Sequence, residues 1–114
     1  MKTEKTEQVL NFCCEVGRQL IQNGAEIYRV EDSINRLLTA YGYRDTEVFA
    51  IPSCVILNIL DEGHNYPKSI RIRSSFINLD KLERLNSLCR RVCRERPEPE
   101  AAVSLLDTIS SASS

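Results

Sequence analysis

The chain has 114 residues, of which 42% are hydrophobic and 27% charged, and its formal net charge is −1. That length suits one domain, and that composition belongs to globular rather than disordered chains. A charge so close to zero offers nothing of the positive excess that draws a chain to duplex nucleic acid, so no nucleic-acid partner is expected.

In chain order, residues 4–22 predict a first helix. Val9, Phe12, Cys13, Val16, Leu20 and Ile21 recur at spacings of three and four, which gathers them on one side. Gly17 falls inside the pattern, where glycine costs about 1 kcal/mol against alanine; close approach of a neighbouring backbone is the expected reason. Asn23-Gly24 stops this helix. A second helix spans 25–41 with Ile27, Val30, Ile34, Leu37, Leu38 and Tyr41 as its apolar face, and Gly42 ends it.

From Thr46 the period changes. "TEVFAI" (46–51) and "SCVILNIL" (53–60) are rich in β-branched and aromatic residues and read as strands, with Pro52 at their boundary. "CVILNIL" is apolar on both sides, which predicts a central strand covered on both faces. "DEGHNYP" reads as a loop. "SIRIRS" then alternates, Ile70 and Ile72 to one face and Arg71 and Arg73 to the other. Residues 79–95 return to the helical period, with Asn78 as N-cap and Arg90, Arg91, Arg94 and Arg96 at the end that suits cations. After "RPEPE" a last helix runs from Pro99 to about Ile109. The fold class is α+β: a helical hairpin, a three-stranded, mostly antiparallel sheet, then two C-terminal helices. One domain covers 1–110, and 111–114 reads as a flexible tail.

Cys13, Cys14, Cys54, Cys89 and Cys93 make an odd count, and no pair has C-x-x-C spacing. With no signal-like opening, that argues for reduced, packed thiols rather than a disulfide framework. His64 is the single histidine, and Asp61, Glu62 and His64 match no metal-binding template, so neither a metal nor another cofactor is expected. Ser53 lacks the glycines of a nucleophile elbow, and no Gly-rich phosphate loop is present. No apolar run is long enough to span a bilayer.

The polar cluster at Tyr28, Arg29, Glu31 and Asp32 is the densest in the chain. Glu26 with Arg29, and Asp32 with Arg36, stand at helical pairing distance, so a solvated face accounts for them. The alternative is that Arg29 or Glu31 is partly buried and fixes a contact with the strands or a partner. Arg71 and Arg73 share one strand face; covered by helices they would need Glu31 or Asp32 as partners, and otherwise that face is solvated.

The stretch "NGAEIYRVEDSINRLLTAYGY" resembles the bacterial threonine/serine exporter family. The resemblance rests on the Gly24-Ala25 turn, the element Arg29-Val30-Glu31, the helix closing near Gly42, Pro52 with strand 53–60, the strand bearing Arg71 and Arg73, "NLDKLERLN" at 78–86 and "PEAAVSLLDTI" after the break. It covers residues 8–110 in the family's order.

The resemblance implies an N-terminal cytoplasmic domain at the inner membrane face, with a gating, substrate-entry or assembly role, followed by membrane helices that carry out export. Some members are split over two polypeptides, a pair linked to dicarboxylate (succinate) export. This sequence stops at Ser114, where the membrane part would begin, so it is expected to be an excised or naturally short soluble piece, not itself an enzyme. Its partners would be the membrane-spanning part, in the same chain or a companion subunit, and a further copy of itself. An amino acid would offer a carboxylate to Arg29 or Arg73 and an ammonium to Glu31 or Asp32; a dicarboxylate is the other ligand class. Two other classes stand beside this one. The first is a small hydrolase using Arg29, Glu31 and His64, and the second is an assembly module that docks a partner on an apolar helix face.

Overall fold

The computed structural model describes residues 2–111. Its order is α1 (Lys2–Gln22), α2 (Ile27–Ala40), β1 (Asp45–Ile51), β2 (Cys54–Asp61), β3 (His64–Arg71), α3 (Leu79–Glu95) and α4 (Pro99–Ser111). The sheet is antiparallel in the order β1-β2-β3, and the α+β architecture is as expected. Ser111 closes α4, and the rest of the tail expected at 111–114 lies outside the described residues.

The two helices of the hairpin close by the same device. The N–H of Gly24 donates to Ile21 O and that of Ala25 to Leu20 O; the N–H of Gly42 donates to Thr39 O and that of Tyr43 to Leu38 O. These are the paired 5→2 and 6→1 bonds of a Schellman ending. Its C′ residue must be left-handed, and Gly24 (φ 97°) and Gly42 (φ 94°) are. A side chain at Gly24 would also meet the Ile77 backbone at 3.1 Å, because the stretch before α3 crosses here: Phe76 N–H donates to Gln22 O and Asn78 N–H to Asn23 O. Asn78 caps α3 as predicted, its Oδ1 accepting from Lys81 N–H at 3.1 Å.

The third strand begins earlier than the sequence suggested. A two-residue turn at Glu62-Gly63, both at positive φ, joins β2 to β3, so His64 to Pro67 are strand and not loop. Pairing Asp61 with His64 starts the alternation of hydrogen-bonded pairs, and Pro67 falls opposite Asn58 at a pair that exchanges no ladder bonds. Its missing N–H points out of an edge strand and costs the sheet nothing. Arg71 is then the last strand residue, and Arg73 lies beyond it.

The layers are sheet, then α1 with α2, then α3 with α4. α1 packs on β2 and β3 and α2 on β1, whereas α3 and α4 touch helices but no strand. Because α1 is sandwiched, it is buried nearly all round: Leu10, Phe12, Cys13, Cys14, Val16 and Leu20 are all core. The close approach at Gly17 is to a side chain rather than a backbone, since a Cβ there would stand 2.8 Å from Ile34 Cδ1. On the sheet, Ala50, Val55, Leu57 and Ile59 are buried, and half-buried Val48, Tyr66 and Ile70 pack against the same core. Lys68 shares that inner face and sits near Glu15 of α1. Burial pushes the Glu15 carboxyl up, but hydrogen bonds from Arg18 and Gln19 outweigh it and hold the group below its usual range.

β2 is central in pairing but is not covered on both faces. Among the described residues nothing packs on the outer side, where Ile56 and Leu60 are exposed and Asn58 Nδ2 donates to Asn65 Oδ1 at 2.9 Å. Periodicity could not show this, because apolar residues stand on the solvated face as well.

Candidate functional site

The helical repeat of α2 lines up Arg29, Asp32, Ser33 and Arg36 along one edge. The repeat of α3 does the same for Asn86, Cys89, Arg90, Cys93 and Arg94. The two helices pack together, and these stripes become the walls of a groove of about 520 Å³. A second hollow of about 470 Å³ continues toward Gly24 and Leu79 and shares Arg29, Ser33, Asn86 and Arg90 with the first. The four shared residues therefore stand at the waist of one continuous groove.

Its electrostatics are uneven. Around the first hollow stand four guanidinium groups, Arg29, Arg36, Arg90 and Arg94, against the single carboxylate of Asp32. Asp32 Oδ2 already accepts from Arg36 Nε at 2.9 Å. Both partners are exposed, so the pair adds only tenths of a kcal/mol to stability. Arg94 leans on Glu95 at 3.5 Å, and Arg90 Nη2 donates to Ser87 Oγ at 3.1 Å. The Arg29 guanidinium lies 5.7 Å from the centre of the Tyr28 ring, itself 61% exposed. Among the described residues neither Arg29 nor Arg90 makes an ion pair. The second hollow is less positive, because Glu26 and Glu83 join its lining.

The six residues singled out in the sequence divide among three places. Arg29 and Asp32 line the groove, with Tyr28 beside Arg29. Glu31 turns the other way and fixes a contact with the strands, its Oε2 accepting the backbone N–H of Ala50 at 2.9 Å. Arg71 and Arg73 are exposed at the β3 end of the sheet, where no helix covers the outer face. They therefore need no buried partner, and among the described residues they draw none from α2. Sequence reasoning missed Asn86 altogether, and it read Arg90 and Arg94 only as part of the cationic end of the third helix, without their link to Arg29. Their spacing of four was visible, but only the pairing of α2 with α3 sets it opposite Arg29.

His64 lies elsewhere. It pairs with Asp61 at the far end of β2, whereas Glu31 meets the sheet at Ala50, level with Val55. Six residues of strand separate these levels, roughly 20 Å at the rise of a β-strand. Arg29, Glu31 and His64 therefore form no common catalytic site. The described residues also hold no group of three or more His, Cys, Asp or Glu side chains suited to a metal ion.

Three of the thiols are packing groups. Cys13, Cys14 and Cys89 are buried, and burial pushes the Cys14 and Cys89 thiols up to about 12 and Cys13 well above its ordinary value. Neutral thiols of this kind are poor nucleophiles.

The profile of the ThrE family, described as "Putative threonine/serine exporter", matches residues 11–114. The chain belongs to the threonine/serine exporter family. That is a family of transporters and not of enzymes. No curated protein and no solved structure matches the chain. Among the described residues of this exporter-family chain, no helix is long and apolar enough to cross a membrane. Arg29, Asp32 and Glu31 all fall inside the matched region, as do Arg90 and Arg94.

Proposed function

We propose that this chain is a cytoplasmic domain of an amino-acid or small-dicarboxylate exporter, and that the α2–α3 groove receives the substrate carboxylate on its way to the membrane-spanning part. The carrying observation is the convergence of Arg29 and Arg90 from two helices on one groove, each without an ion pair among the described residues. A guanidinium pairs with a carboxylate through two parallel hydrogen bonds, and two guanidinium groups across a groove fix its position as well as its charge. Ser33 and Asn86 supply neutral donors and acceptors at the same waist.

The excess of arginine in the first hollow bears on the ligand class. A zwitterionic amino acid needs an acceptor for its ammonium, and Asp32 is engaged with Arg36. A dicarboxylate needs only the arginines. The first hollow thus suits a dicarboxylate such as succinate, while an amino acid with its carboxylate at the waist would turn its ammonium toward Glu26 or Glu83 in the second hollow. Family membership supports transport as the purpose, with the membrane-spanning part, in the same polypeptide or a companion, as the partner.

Calorimetric titration with succinate, threonine and serine tests the reading. Heat is expected with succinate at submillimolar to millimolar concentration, and it should vanish in Arg29→Ala combined with Arg90→Ala. No heat with any of the three, from protein whose circular dichroism is that of a folded α+β domain, would overturn it.

A further inference from the structure

The outer face of the sheet carries apolar groups with no covering element among the described residues. Phe49, Ile51, Ile56 and Leu60 are 54, 39, 46 and 37% exposed there. The pairing register lays this face out as a grid. Asp45 stands level with Leu60 and Asn65, and Glu47 with Asn58 and Pro67. Phe49 stands level with Ile56 and Ser69, and Ile51 with Cys54 and Arg71. The acidic pair Asp45 and Glu47 thus holds one corner, on β1. Arg71 holds the diagonally opposite corner, at the end of β3, and exposed Arg73 follows beyond the buried Ile72. The apolar groups lie between these corners and toward the remaining two.

This arrangement is self-complementary. A two-fold axis lying in the plane of contact, perpendicular to the line that joins the two charged corners and midway along it, stacks each charged corner of one face on the opposite charged corner of its copy. Asp45 and Glu47 then meet Arg71 and Arg73 twice, once on each side, and the apolar middle closes on itself at the usual sheet-to-sheet spacing of about 10 Å. An anionic bilayer fits less well, because the same face would carry two carboxylates against it. Edge-to-edge pairing is also disfavoured: Pro67 and Lys68 blunt β3, and Glu31 occupies the Ala50 N–H on β1. We propose that the exposed sheet face is the contact between two copies of this chain, held by its apolar middle and put in register by the two charged corners.

Sedimentation velocity across a concentration series tests this. The wild-type mass should rise toward twice the 13.0 kDa of one chain. Phe49→Glu, at a solvent-facing position that the fold does not need, should stay monomeric with unchanged circular dichroism. Glu47→Arg should weaken the dimer at least ~10-fold, since it sets like charges together. Adding Arg71→Glu to Glu47→Arg should restore it, an outcome that general stickiness cannot give. A wild-type mass that stays at one chain up to millimolar concentration overturns the proposal, as does association that survives Phe49→Glu. A double reversal that fails to recover the dimer overturns it too. So does a monomer that instead sediments with phosphatidylserine vesicles, which would give the face to a lipid surface.

Discussion

The Glu31 carboxylate on α2 accepts the backbone N–H of Ala50 on β1 at 2.9 Å. Ala50 pairs with Val55 one step from the two-residue Pro52-Ser53 connection, at a position that exchanges no ladder bonds, so its N–H points out of the sheet edge. Glu31 satisfies it there and ties the helix to the strand. Removing the acceptor in Glu31→Ala should cost about 1–2 kcal/mol, the range for a hydrogen bond to a charged group at a partly exposed site. In a domain of this size each kcal/mol lowers Tm by about 4 °C. Glu31→Gln keeps an acceptor and should lose less than half as much in the same thermal melts. In a full-length exporter carrying Glu31→Ala, a drop in transport should therefore go with lowered abundance of folded protein.

Arg29 and Arg90 should behave in the opposite way. Both are exposed and neither makes an ion pair among the described residues, so Arg29→Ala and Arg90→Ala should leave Tm within a degree or two of wild type. If the groove receives succinate as proposed, each should weaken that binding about 10-fold or more, the equivalent of one charge-assisted hydrogen bond. Arg71→Ala, on the far face of the sheet, should leave binding unchanged. If Arg71→Ala weakened the ligand as much as Arg90→Ala, the effect would be one of net charge, and the groove would lose its claim.

Why the sequence carried the fold further than the site follows from these residues. Helix periods, the Asn78 cap and the glycine endings are local, and each was readable from neighbours within a turn. The turn at Glu62-Gly63 was local too, yet it was masked because a histidine, an asparagine and a proline followed it and together resembled a loop. The open outer face of β2 depends on where the third layer of helices goes, and "CVILNIL" holds no trace of that. The groove depends on α2 meeting α3. Arg29 and Arg90 are sixty-one positions apart in the chain (90 minus 29), and nothing in either helix names the other. Glu31 and Arg29 looked like one cluster because they are two apart, but two positions on a helix turn a side chain by about 200° and send the two to different neighbours.

Gly17 and Ile34 should show measurable coupling. A Cβ at position 17 would stand 2.8 Å from Ile34 Cδ1 and 3.5 Å from Val55 Cγ2, and Ile34 is fully buried. Gly17→Ala gains about 1 kcal/mol of helix propensity but must displace a methyl group in a packed core, at a cost of about 1–3 kcal/mol. The single variant should be neutral to mildly destabilising. Ile34→Val removes the obstructing Cδ1 and alone costs about 1 kcal/mol. In that background Gly17→Ala should become stabilising, a sign reversal that chemical denaturation of the four proteins of the cycle would display. Additive effects would mean that Ile34 moves aside freely and that the glycine has another cause.

The buried thiols should make the fold less stable at alkaline pH. In the unfolded chain these cysteines titrate near 9.0, while burial raises Cys14 and Cys89 to about 12 and Cys13 well above its ordinary value. Tyr41, whose hydroxyl donates to Pro97 O at 2.7 Å, moves from 10.0 to about 12, first through burial. The folded state therefore keeps protons that the unfolded state has already released. The stability these groups contribute is whole below pH 9.0 and drains away as the pH rises toward 12. Denaturant midpoints should be level from neutral pH up to 9 and then fall, and the fall should be shallower in Cys14→Ala, which has one proton fewer to lose. Maleimide labelling below that range should reach half-buried Cys54 and Cys93 first, and Cys13, Cys14 and Cys89 only as the chain unfolds. Equal labelling of all five in the native protein, or a midpoint that holds steady above pH 9, would show that the α1 thiols are not sealed between the sheet and the outer helices.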